Sequence, residues 1–432
     1  MIKKRLYQYK FHLLVLLILL GALLTLFLVQ SRQKKILRLG VYAGSSWDVP
    51  SGKDYQFLDS VIKRFEKAHP NVDVQYETGI LKEDYSSWLS KKIVEGKQPD
   101  VFMVPENDFS MLAASGAFKS LDSLLSKKDV AAYYPVSYQA GLYQGHSYAL
   151  PIESNPVMMC VNKDLLEKEG VSIPDSNWTL EDLYAICQKV TKDTNGDGLI
   201  DQYGITDYTW KQALVAYNGH LRNQSGVNVD SAEMHQALSF ISKLDSLNQR
   251  YKVTSNDFDE GKVAFYPMSL AQYRTYKPYP YHVAKYSRFS WTCIPMPAAK
   301  AGIPATQVKT SLFAMSSKTK QDKLAWEFMK LLCQNQKNQQ ELFEKSQGTS
   351  VLLSVVKSSQ TKKILQADDF GLDSLTSQRL DHMMKHSVLD ISRDLDYHSL
   401  ERLDYLLGNA LKNNEIDSIL PSIQREIEET GK

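Results

Sequence analysis

Signatures of chemistry are scarce in this chain of 432 residues. There is no GxGxxG and no GxxxxGK[ST], so a nucleotide cradle has no support. GxSxG, HExxH and a Ser/His/Asp pattern are missing as well, and the nine histidines are scattered, which argues against hydrolytic catalysis. Four cysteines, Cys160, Cys187, Cys293 and Cys333, form no CxxC pair. That excludes the common zinc and dithiol redox sites and leaves free buried thiols. No internal repeat or low-complexity tract stands out.

Charge is also lacking where nucleic acid would need it. Residues 1–35 carry seven Lys and Arg and no acid, which leaves 44 basic against 49 acidic residues in the rest. A mildly acidic body does not fit a polyanionic partner.

What is present begins at the N-terminus. The basic "MIKKRLYQYK" precedes "FHLLVLLILLGALLTLFLV", apolar but for His12 and Thr25. As a helix, 11–29 would reach about 28 Å, enough to span a bilayer. A cleaved signal has a shorter apolar core and a small-residue exit; here the exit is "LFLVQSRQKK". The run therefore reads as an uncleaved membrane anchor, with a cleaved signal as the alternative. No second span follows.

Beyond the anchor the pattern alternates. Ile36 to Tyr42 reads as a strand, and Leu58, Val61, Ile62 and Phe65 at i, i+3, i+4, i+7 predict a helix that ends before Pro70. Val72, Val74 and Tyr76 alternate as in a strand. Tyr85, Trp88, Leu89 and Ile93 share a helical face, and "DVFMV" is a short buried strand. Strand and helix in turn predict a parallel α/β sheet, with ligands at the carboxyl ends of its strands. The loops leaving those ends, "GSSWDVPSGK" and "PENDF", expose Trp47, Asp48, Glu106 and Asp108. Near the C-terminus, Leu380, Met383, Met384, Val388 and later Leu403, Leu406, Leu407, Ala410 and Leu411 repeat at helical spacing; such methionines pack in cores.

From "QPDVFMVPENDFSMLAASGAFKSLDSLL" onward the chain resembles the extracellular solute-binding proteins of ATP-driven importers, in the carbohydrate-type, maltose-binding-protein-like family. Within "GLYQGHSYALPIESNPVMMCVNKDLLEKEGVSIPDSNWTLEDL", the residues Tyr148, Pro151, Asn162, Lys163, Asp164, Leu165, Gly170, Pro174 and Trp178 match its pattern. Phe258, Gly261, Lys262 and Ala264 of "DFDEGKVAFYP" match a later turn. "SWTCIPMP" and "SLFAMSSKTKQDKLAWEFMKLLC" follow in the family's order.

The resemblance implies a two-lobe periplasmic-binding-protein-like α/β fold of type II, preceded here by one N-terminal transmembrane helix. One lobe would be 36–152 plus 297–350 and the other 153–292 plus 351–432, with hinges near 152–155 and 293–297 and the anchor in 1–35. It also implies an extracellular body on a single-pass anchor, a monomer, a carbohydrate in the interlobe cleft, and ABC permease subunits as partners. Relatives in single-membrane bacteria usually carry a lipid-modified Cys after the signal; none stands here. A sensory accessory or a ligand-free surface interaction protein of the same fold is the alternative.

Candidate ligand residues follow. Asp48, Glu106 and Glu153 are carboxylates for sugar hydroxyls, or for a glycosidase pair about 5 to 10 Å apart; the binding role is the reading adopted. Trp47, Trp210, Tyr266, Tyr273 and Trp291 offer flat faces. The last two bound the run "YRTYKPYPYHVAKYSRFSW", which the acidic body argues against as a nucleic-acid platform. The Trp that often follows the family's later turn is absent, and Tyr266 and Tyr273 stand nearest to its place.

Finally, "DTNGDGLIDQYG" fits the first half of a calcium loop. Asp193, Asn195 and Asp197 occupy positions 1, 3 and 5, with Gly198 at 6, the Leu199 carbonyl at 7 and Asp201 at 9. Position 12 is Gly204 rather than Glu, so a regulatory switch has no support. The loop resembles one in alginate-binding relatives, on whose pattern Asp201 and Gln202 would close a structural calcium (Ca2+) site. The alternative is a solvated Asn-Gly and Asp-Gly turn.

Overall fold

The computed structural model describes residues 34–50, 55–249, 251–276, 289–368, 374–413 and 415–430. The expected anchor, 11–29, lies outside them. Among the described residues no helix is long and apolar enough to cross a membrane.

The alternating pattern builds the first lobe. Strand β1 (Lys35–Gly40) pairs in parallel with β2 (Val72–Tyr76) and β3 (Val101–Val104). Helix α1 (Gln56–Ala68) crosses between β1 and β2 and buries Leu58, Val61, Ile62 and Phe65, the four residues whose spacing predicts it. Helix α2 (Lys82–Val94) crosses between β2 and β3 and buries Tyr85 and Leu89. Apolar clusters cover both faces of this sheet, as parallel strands require. One holds Leu37, Val61, Val101, Phe313 and Phe328; the other holds Tyr85, Phe102, Phe109 and Phe118.

Strand β4 (Ala149–Asn162) is fourteen residues long and almost wholly buried. In the second lobe β5 (Tyr203–Ile205) runs parallel to β6 (Val263–Ser269), and β6 and β7 (Trp291–Ile294) flank the end of β4 in antiparallel register. Strand β8 (Thr306–Met315) returns to the first lobe, antiparallel to both β3 and the start of β4. The continuous path of the sheet is β2-β1-β3-β8-β4-β6-β5. A separate core, with Leu183, Leu214, Leu238, Phe265, Leu403 and Ile423, fills the second lobe.

The change of lobe is visible in β4's partners. Ala149 to Pro156 pair with β8, whereas Val157 to Val161 pair with β6. Polar bonds hold this crossing: the Ser154 hydroxyl meets those of Ser137 at 2.8 Å and Thr310 at 2.9 Å, and Asn155 accepts the Ala271 N–H at 2.9 Å. Arg274 ties the same region together. It donates to Asp368 at 2.7 Å and to the carbonyls of Phe343 and Gly348 at 2.9 and 3.0 Å.

Candidate ligand-binding site

The carboxyl ends of β1 and β3 deliver the first lobe's polar groups to the gap. After β1 the chain turns through Tyr42 to Asp48, where Asp48 takes the left-handed conformation (φ 57°). Its carboxylate accepts from Lys82 at 2.6 Å, and Lys82 also donates to the Ser46 carbonyl at 2.9 Å. The Tyr42 hydroxyl donates to Ser46 at 3.1 Å, and burial pushes its pKa up to about 12. After β3, Glu106 to Asp108 form a single 3₁₀ turn.

The second lobe answers from two helices. Trp210 opens the helix Trp210–Ala216 and donates its indole N–H to Asp404 at 2.8 Å; Lys211 donates to the other oxygen of Asp404 at 2.6 Å. Asp404 lies in the helix Tyr397–Asn413. Tyr397, seven residues earlier, shares its face and is 64% exposed. Asp390 accepts the Ser392 N–H at 2.8 Å. Arg393 donates to the Ala140 carbonyl at 3.1 Å and lies over the Phe109 ring, both in the first lobe. Asp108 of the first lobe and Asp396 of the second feel each other's charge. The lobes therefore face one another here.

Two groups at the centre stand apart. Among the described residues, neither the Glu106 carboxylate nor the Lys309 ammonium, in the middle of β8, makes a hydrogen bond or close ion pair. Burial raises the Glu106 pKa to about 7; Lys309 pulls it down and Asp390 adds to the rise. Lys309 is itself raised, first by Asp390, against the cost of burial, with Glu106, Asp48 and Asp404 contributing. Polar groups removed from water without partners are costly. A ligand with hydroxyls would supply both an acceptor for Lys309 and a donor for Glu106.

Other sequence-expected residues lie elsewhere. Trp47 and Glu153 turn into the first lobe, 8% and 6% exposed. Glu153 accepts the Gly348 N–H at 2.8 Å. Burial raises its pKa, and Ser346, the Trp47 indole and Gly348 oppose the rise. A cavity of about 130 Å³, lined by Tyr42, Ser46, Ile152, Glu153 and Phe313, opens beside it. A Cβ at Gly348 would stand 2.5 Å from Glu153 Oε1 and 2.7 Å from Trp47 Nε1, so a side chain there would displace both groups. Tyr273 and Trp291 are buried and pack on each other at 5.4 Å; Tyr276 and Phe258 add to the group, and Tyr266 meets the edge of Phe258 at 5.3 Å. The rings cover one another. Asp48 and Glu106 lie within electrostatic reach of Lys309, and with it of Asp390 and Asp404, three residues that sequence reasoning missed; Trp210 is buried, with its indole N–H on Asp404. The signal for Lys309 was available: it is a lone charge in "TQVKTSLFAM", otherwise a buried strand.

In the 193–202 loop the acidic side chains bind local backbone. Asp193 accepts the N–H groups of Asn195, Gly196 and Gly198, and Asp201 accepts that of Thr194. Asn195 and Asp197 each accept the N–H two residues on. Gln202 is buried, its amide held by Glu169, Val190 and Lys168, so its side chain faces the lobe interior. Among the described residues no group of three or more His, Cys, Asp and Glu converges as a metal site.

Two α/β lobes joined through shared strands, with polar groups of both facing one gap and two of the first lobe's left without a hydrogen bond among the described residues, define a two-lobe binding protein. The chain belongs to the bacterial extracellular solute-binding protein family, whose model matches residues 50–339. Its role is therefore binding rather than catalysis. A binding protein of Brucella abortus (strain 2308) is 24% identical over 299 residues, 66% of this chain and 70% of the relative. The sugar-binding protein of Xanthomonas citri superposes with a TM-score of 0.73 at 15% identity, over 91% of this chain and 97% of that one. An ABC substrate-binding protein of Listeria monocytogenes, solved with cycloalternan, gives 0.64 at 20% identity over 92% and 99%. At these identities the superpositions establish the fold.

Proposed function

We propose that this protein captures a carbohydrate between its lobes and delivers it to an ATP-driven importer through the permease subunits. The observation that carries the reading is the Glu106 carboxyl and the Lys309 ammonium, partly buried and without a hydrogen bond or close ion pair among the described residues. Sugar hydroxyls both donate and accept, so one ring satisfies both groups at once. Tyr397, exposed at the start of the helix that carries Asp404, offers a ring on the second-lobe side. The sugar-binding members among the structural relatives support the ligand class.

Mechanism follows from the two-sided site. Only a closed form touches the ligand from both lobes, so binding energy shifts a hinge equilibrium toward closure. Strand β4 would flex near 152–155, just before its partners change at Pro156 and Val157, dividing the chain into 36–152 plus 297–350 and 153–292 plus 351–432. A permease then reads the closed shape of a monomer. The apolar run 11–29 is proposed to tether an extracellular body to the cell membrane as a single-pass anchor. Calcium at Asp193, Asn195, Asp197, the Leu199 carbonyl and Asp201 is a separate proposal, structural in role. Chelation then lowers the melting temperature without abolishing folding, and unchanged melting with no bound metal refutes it.

The test is a thermal-shift screen of the protein against mono- and oligosaccharides, followed by calorimetry and small-angle scattering with the best ligand. A ligand at a hundred times its Kd stabilises by about 2.7 kcal/mol, which the screen detects. If no saccharide stabilises the protein and its radius of gyration never falls, the reading fails.

A further inference from the structure

Cys160 and Cys293 face each other across two strands of the second lobe. They are register partners on antiparallel β4 and β7, their sulfurs lie 3.5 Å apart, and both are wholly buried. The Cys293 N–H points away from Cys160 and donates to the Ser374 carbonyl at 3.0 Å. The pair is thus of the non-hydrogen-bonded kind, in which opposed side chains approach most closely. Such pairs hold their Cα atoms about 4.5 Å apart, inside the range of about 4.4–6.8 Å that a disulfide spans. Rotation of two side chains makes the bond, with no movement of the strands. Cys187 and Cys333 sit in the separate helices Leu180–Val190 and Asp322–Cys333.

We infer that Cys160 and Cys293 form an intramolecular disulfide when the chain folds in an oxidising compartment. The inference rests on the extracellular placement that the family carries, since exported proteins meet such conditions. Burial pushes the Cys160 thiol up and closes both sulfurs off from an external oxidant; the bond forms while the strands are still accessible. The oxidant is an external disulfide, by exchange. One cysteine thiolate attacks it and releases a thiol, giving a mixed disulfide. The second thiolate then displaces the remaining half. One S–S bond forms in the protein, one breaks in the oxidant, and the two protons lost by the cysteines are taken up by the two thiols released.

The consequence is a covalent tie on the second-lobe side of the point where β4 changes partners, joining residues 133 apart in the sequence. A closed loop of that length restrains the unfolded chain. The first half of β4 and β8 are left free, so the bond stabilises the lobe without locking the gap.

The full chain is refolded from denaturant in a glutathione redox buffer or in reductant, and free thiols are then blocked in denaturant. The oxidised sample should show two blocked thiols of the four, rising to four on prior reduction. Non-reducing peptide mapping should link the Cys160 peptide to the Cys293 peptide. Oxidised wild type should melt several degrees above the reduced form, a gap that Cys160→Ala abolishes. Four free thiols after refolding in that buffer, or a link through Cys187 or Cys333, overturns the proposal. The same thiol count on protein recovered from the cell that makes it separates the two ideas. A bond formed in the buffer but missing from that protein upholds the pairing and refutes the extracellular placement.

Discussion

Glu106 and Glu153 are two carboxylates on the first-lobe side of the point where β4 changes partners, both raised by burial, and they differ in one respect. Glu153 has a backbone N–H at 2.8 Å and an indole and a hydroxyl beside it; Glu106 has no hydrogen-bond partner among the described residues. The first is satisfied from within and holds the 346–348 turn to β4. The second is left for something outside the chain. Burial alone therefore does not separate a structural carboxylate from a binding one; the partner count does.

The aromatic groups repeat the contrast. Trp291 is spent on its neighbours, and Trp291→Ala should cost about 3–5 kcal/mol of stability and leave ligand affinity nearly unchanged, as chemical denaturation and calorimetry together will show. A loss of affinity without a loss of stability would place the ring in the gap after all. Next in size, Glu153→Ala strands the Gly348 N–H and should cost about 1–3 kcal/mol of stability, read from the denaturation midpoint. Lys309→Met should show a different balance. It removes a cation that Asp390 and Glu106 favour against the cost of burial, so a modest loss of stability accompanies a fall in saccharide affinity of about 1–3 kcal/mol in calorimetry.

Acidity gives a finer test. Glu106 moves from 4.5 in the unfolded chain to about 7 in the folded one, so between those values the folded state binds more protons. Stability therefore falls as pH rises from 4.5 through 7, the reverse of a salt-bridged carboxylate. The difference between Glu106→Gln and wild type in urea unfolding should widen from pH 5 to pH 8 in favour of the variant. Equal slopes would mean that Glu106 finds a partner in solution. The smallest effect belongs to Asp48, whose side chain is 78% exposed beside Lys82. Asp48→Asn should change stability by only about 0–1 kcal/mol.

Much of this architecture was legible in local pattern. The spacing of Leu58, Val61, Ile62 and Phe65 names the buried face of α1, because a helix and a core together permit no other use of four apolar residues so placed. The alternation of strand and helix gave β1, β2 and β3 their parallel pairing, and the loops at their carboxyl ends gave Asp48 and Glu106. What no local pattern contained was the second chain direction through the sheet. Strand β8 comes from more than two hundred residues downstream of β3 and lies antiparallel beside it, and only that pairing carries Lys309 to Glu106. Likewise the sequence alone determined that Glu153, Tyr273 and Trp291 carry groups suited to a sugar, but their fate was settled by which neighbours reached them first. Long-range packing decides this, since an aromatic ring or a carboxylate behaves as core or as site according to whether the fold satisfies it.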